Sequence, residues 1–96
     1  MVDDREGGQT FLVEHYWPGV TLEAFRSAAE RVREAAEEMA LAAAPIRFLH
    51  STLVPADENA FCLFAAASAE LVEEAYRRAG VPFERIRAAL QVEGES

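Results

Sequence analysis

Four side chains in this sequence have the chemistry to hold a metal or move a proton: Glu14, His15, His50 and Cys62. A carboxylate, an imidazole and a thiolate brought together would suit nickel, zinc or copper. Nitrogen and sulphur donors match borderline or soft ions, whereas calcium and magnesium call for more oxygen. No short ligand spacing joins these residues, so only a fold can assemble them. Each also has an ordinary structural use. A lone cysteine is commonly an inert buried hydrophobe, a strand histidine a hydrogen-bonded structural residue, and a strand glutamate an edge group or half of an interfacial ion pair. Tyr16, Trp17, Phe48 and Phe64 carry a different chemistry, an apolar pocket closed over a small hydrophobic substrate, with Glu14 or His50 moving protons. Packing in a core or an interface would use the same rings. Glycine-rich phosphate loops, a Gly-x-Ser-x-Gly elbow and a His-Glu-x-x-His helix are absent from the sequence, and no organic cofactor is evident.

Bulk properties narrow the setting. At 96 residues the chain can bury one modest core, and 51% hydrophobic with 27% charged residues is a globular composition. A net charge of −8 with no basic cluster argues against nucleic acid and anionic lipid as partners. One cysteine allows no internal disulfide, and with no secretory or membrane-spanning apolar run the expected location is a reducing cytoplasm.

The elements that must position these residues follow from local pattern. Residues 1–9 are polar and glycine-containing and are expected to be a flexible tail, followed by one domain over 10–93 and a short tail over 94–96. Thr10 to Trp17 reads as a strand ended by Pro18-Gly19, and Leu22 to Ala42 as a helix capped by Thr21. Ile46 to Val54 and Ala60 to Ala65 read as a hairpin across the turn Pro55–Asn59. A second helix is capped by Ser68 and stopped by Gly80, and alternation through Ile86, Ala88, Leu90 and Val92 gives a last strand. The order β-α-β-β-α-β is ferredoxin-like, an α+β class with four antiparallel strands and both helices on one face. An RNA-recognition domain shares that order, but Asn59 to Ala65 lacks the basic start and the glycine of its strand-three motif.

Strict alternation sorts the strands into two faces. Phe11, Val13, Leu49, Leu53, Phe61 and Leu63 form the set expected beneath the helices. Leu12, Glu14, Tyr16, Ile46, Phe48, His50, Thr52, Cys62 and Phe64 form the opposite set, mostly apolar yet carrying Glu14, His50 and Cys62. Such a face left in water would be an oversized apolar patch, so two protomers closing over it in a dimeric α/β barrel-like assembly is the expected solution. A bulge near the end of strand one would bring His15 to that face as well, and Asp57 in the turn could reach its rim.

Several separated segments resemble one family. Phe11-Leu12-Val13-Glu14-His15 running into Pro18-Gly19, Leu49-His50-Ser51, the acidic turn at Asp57, Cys62-Leu63-Phe64 followed by Ala65, and Ala79-Gly80-Val81-Pro82 are similar to short nickel-binding ferredoxin-like proteins, formerly a domain of unknown function. The resemblance spans about Thr10 to Glu93. It implies a ferredoxin-like fold, a homodimer with nickel bound at the dimer and a role in nickel sequestration or detoxification, for which the residues themselves offer some subset of Glu14, His15, His50 and Cys62 as ligands. Many members carry an arginine where this chain has His15. The alternative is a small cofactor-poor enzyme of the dimeric α/β barrel kind, monooxygenase- or cyclase-like, with Tyr16, Phe48 and Phe64 around a small-molecule ligand. A third is an assembly module whose polar interface groups only set register.

Overall fold

A computed structural model describes residues 9–92 and 94. The tails expected over 1–9 and 94–96 therefore lie outside the described residues, except that Gln9 opens the first strand and Gly94 is described. The elements are β1 (Gln9–Tyr16), α1 (Leu22–Leu41), β2 (Ile46–Val54), β3 (Asn59–Ala66), α2 (Ala69–Ala79) and β4 (Arg85–Ala89), in the expected β-α-β-β-α-β order. They form one antiparallel sheet in the order β2-β3-β1-β4.

Both helices start where a side chain can take up a free amide. Thr21 Oγ1 accepts from Ala24 at 3.0 Å, and Ser68 Oγ accepts from Leu71 at 3.4 Å. Gly80, at φ +70°, ends α2 in the left-handed conformation that costs glycine nothing. α1 ends without that help, and Ala43 takes φ 74° just beyond it. The buried stripe of α1 is largely small: Ala28, Ala35 and Ala36 beside Phe25, Val32 and Met39. Small residues let the helix axis lie close to the sheet. On its outer side Arg33 bridges Glu30 and Glu37, as the three- and four-residue spacing allows. No helix among the described residues is long and apolar enough to cross a membrane.

Register settles which residues share a face, since side chains directly opposite point the same way. Val13 pairs with Cys62, Phe11 with Phe64 and His15 with Ala60, and all six are buried beneath the helices. Leu12 pairs with Leu63, Glu14 with Phe61 and Tyr16 with Asn59 on the other face, which neither helix covers. The expected assignment of β1 holds, but β3 is inverted. Cys62 and Phe64 belong to the core, and Phe61 and Leu63 belong to the open face. β2 is split by a bulge between Phe48 and His50, with Leu49 the extra residue. Ile46 and Phe48 face the helices, and the bulge turns His50 and Thr52 onto the open face. β4 stops at Ala89, which pairs with Thr10. The alternation past it leaves Leu90 97% and Val92 92% exposed instead of extending the strand.

Candidate functional site

The bulge and the inverted β3 divide the four candidate ligands two and two. Cys62 and His15 lie behind the sheet. Glu14 and His50 lie in front of it.

Behind the sheet, a histidine, a tyrosine and a cysteine form one buried polar chain. His15 Nδ1 donates to the Ala60 carbonyl at 3.1 Å, because a carbonyl can only accept. The neutral ring therefore offers Nε2 as an acceptor, and the Tyr76 hydroxyl donates to it at 3.0 Å. The Cys62 sulfur lies against the same hydroxyl, whose O–H dipole favours the thiolate form. Among the described residues no buried side-chain nitrogen or oxygen lacks a partner, so this network is complete. Rings close it in. Phe64 and Phe83 meet Tyr76 edge-on with centroids 5.9 and 5.3 Å away.

Burial sets the electrostatics of this cluster. It lowers the pKa of the His15 imidazole below the ordinary 6.5, the hydrogen bond to Ala60 working the other way. It pushes the Cys62 thiol up to about 11, opposed by the hydrogen bond with Tyr76. It also drives the Tyr76 hydroxyl well above its usual range, with Cys62 adding to the effect. A neutral imidazole with both nitrogens occupied and a thiol held protonated are poor metal ligands.

The open face is different. His50 is exposed, beside Leu63, and its imidazole makes no hydrogen bond among the described residues. Glu14 is held from the edge strand: Arg85 Nε donates to Oε1 at 2.9 Å, and Arg87 Nε lies 3.6 Å from Oε2. Glu14 and Arg85 also border a shallow depression of about 490 Å³ with Asn59, Phe61 and Glu84. Strand spacing puts the backbones of Glu14 and His50 about 12 Å apart, two strands and two residues away. Among the described residues no group of three or more His, Cys, Asp or Glu side chains is placed to hold a metal. One chain thus offers two separated donors, of oxygen and nitrogen type, and no complete site.

The aromatic residues expected to line one pocket are split: Phe48 and Phe64 meet each other, and Tyr16 instead lines a small cavity with Trp17 and Phe83. Phe64 is fully buried and packs edge-on against Phe48 at 5.1 Å beneath the helices, while Tyr16 is 57% exposed on the other face. The apolar part of the open face is also smaller than expected: Leu12 and Phe61 are half-buried and Leu63 is only 4% exposed. Asp57 sits exposed in the short 3-10 turn Pro55–Asp57. Tyr76, Arg85 and Arg87 were not legible as partners of the candidate residues. Tyr76 occupies an apolar helix position, and Arg85 reaches Glu14 from 71 residues away.

Comparison with known proteins then decides the family. The SCO4226-like family, described as nickel responsive protein SCO4226-like, matches residues 11–88. The chain belongs to that family. Membership bears out the resemblance seen in the sequence segments from Phe11 to Pro82. It attaches a nickel-related description to the family as a whole. A solved structure similar to this SCO4226-like chain is that of SCO4226 from Streptomyces coelicolor A3(2), with a TM-score of 0.73 and 21% identity over 88% of this chain and 99% of that one. At that identity the likeness establishes the ferredoxin-like fold. No curated protein matches the chain.

Proposed function

We propose that this SCO4226-like chain binds nickel as a homodimer in the cytoplasm, holding the metal as cargo for sequestration or detoxification. Glu14 and His50 are its ligands, and His15 and Cys62 are not. The observation that carries the reading is that Glu14 and His50 lie on the sheet face that neither helix covers. Two copies meeting there by a two-fold axis would bring two carboxylates and two imidazoles into one space. That oxygen and nitrogen set suits nickel(II), which accepts tetragonal or octahedral arrangements of such donors. The family's description as nickel responsive supports the same metal. Copper and zinc compete for any site of this type, because affinity rises from nickel to copper and specificity must come from geometry and supply. The enzyme alternative expected Tyr16, Phe48 and Phe64 around one ligand, but Phe48 and Phe64 pack together beneath the helices, away from the small cavity that Tyr16 lines with Trp17 and Phe83.

Calorimetric titration of nickel into the untagged protein tests the proposal, with sedimentation to give the oligomeric state. Expected is micromolar or tighter binding at integral stoichiometry per dimer, lost in His50→Ala, weakened in Glu14→Gln, and unchanged in Cys62→Ser. Binding that survives His50→Ala but fails in Cys62→Ser would return the site to the residues behind the sheet. A wild type that binds no nickel would sink the reading.

A further inference from the structure

Glu14 is not a free carboxylate. Both its oxygens face guanidinium groups on the neighbouring strand, Arg85 on Oε1 and Arg87 on Oε2. A metal competes with the Arg85 N–H for Oε1 and with the positive charge of Arg87, 3.6 Å from Oε2, and an arginine stays protonated and offers no lone pair of its own in exchange. The wider face repeats the pattern. Arg47 on β2 pairs with Ala65, whose row also holds Thr10, and so stands on the open face with Arg85 and Arg87. Three arginines stand there against Glu14 and, at the rim, Glu84, an excess of positive charge on a chain whose net charge is −8. Such a surface repels an incoming divalent cation.

Resting on the nickel reading above, we infer that Arg85 and Arg87 form a clamp that competes with the metal for Glu14, so that nickel binds at the open face only by displacing them. The clamp is built to be displaced. The two arginine side chains are 60% and 51% exposed, on a short edge strand with solvent beside them. Ion pairs so open to water are weak and give way to a stronger partner. The consequence is an affinity set below what the ligands alone would give, which suits a store that must release its cargo. It also gives the edge strand β4 a part in the site, although it supplies no ligand.

The test compares nickel affinity by calorimetry in the full chain, the double variant Arg85→Gln/Arg87→Gln, and the charge-keeping double variant Arg85→Lys/Arg87→Lys. Circular dichroism and sedimentation confirm that fold and oligomeric state are kept. The glutamine pair should tighten nickel binding about three- to tenfold, the range of two half-exposed ion pairs, and the lysine pair should stay within about twofold of wild type. If wild type binds nickel and the glutamine pair binds it equally or more weakly, the arginines position the carboxylate or do nothing, and the clamp is refuted while the nickel site stands. If neither protein binds nickel, the proposed function falls and the clamp with it.

Discussion

His15 and His50 stand on opposite faces of one sheet, and their surroundings have little in common. His15 is 7% exposed, with both ring nitrogens engaged and its pKa pushed down by burial. His50 is exposed, and its imidazole makes no hydrogen bond among the described residues. Glu14 and His15 repeat the contrast between adjacent positions, the carboxylate in front and the imidazole behind. Residue type therefore says little about role here, and the parity of the strand says nearly everything. The helix-covered face uses polar groups to complete a core, and a buried network of this kind is costly when partly satisfied. The open face leaves its polar groups to solvent, to each other, or to something that arrives.

The sharpest way to break this contrast is to remove the hub of the buried side. Tyr76→Ala should destabilise the protein by about 3 to 5 kcal/mol, since it opens a cavity among Phe64, Phe83 and His15. Tyr76→Phe keeps the volume but strands His15 Nε2, and should cost about 1 to 3 kcal/mol. Urea unfolding measures both. Equal losses in the two variants would mean that the hydroxyl, not the ring, carries the site.

A smaller effect is the shape of the stability curve against pH. The Cys62 thiol is raised from 9.0 to about 11 in the folded chain, so its contribution is full below pH 9 and is lost as pH climbs toward 11. The loss should amount to about 3 kcal/mol. His15 acts at the other end. Its folded pKa lies below 6.5, so stability is full above that value and falls as pH drops through the folded pKa, because the unfolded chain takes the proton first. Cys62→Ala should flatten the alkaline arm and His15→Gln the acid arm. Curves unchanged in both variants would show that the cluster is open to water.

The division between legible and illegible features follows the same physics. Element order, both N-terminal caps, the Gly80 stop and the bounds of β2 rest on local signals, and all are found in the fold. The faces of β2 and β3 rest on parity carried through a bulge at Leu49 and through a turn with Glu58 in the left-handed region. Neither is marked by glycine or by an Asn-Gly pair, so alternation alone put Cys62 in front and Phe61 behind. The end of β4 was misread for a related reason. Its alternating pattern continues to Val92, but Ala89 pairs with Thr10, one residue from the start of β1, and little strand remains for Leu90 to follow. Tyr76 falls on the buried stripe of α2 with Val72 and Ala75, yet nothing in the sequence marks its hydroxyl as the partner of a histidine 61 residues away.

The smallest expected effect completes the pair of histidines. His50→Ala should change metal-free stability by no more than about 0.5 kcal/mol, because the side chain is exposed and nothing in the described chain depends on it. His15→Ala, in the same assay, should lose about 2 to 4 kcal/mol, from a cavity and from the hydroxyl and carbonyl left without a partner. A loss near 2 kcal/mol for His50→Ala would instead place the imidazole in a structural contact across the open face. If that loss grew with protein concentration, the contact would be with a second copy, since the stability of a dimer depends on how much of it is present. The two histidines would then differ in what buries them, helices for one and a partner for the other, while the strand parity that separates them would stand.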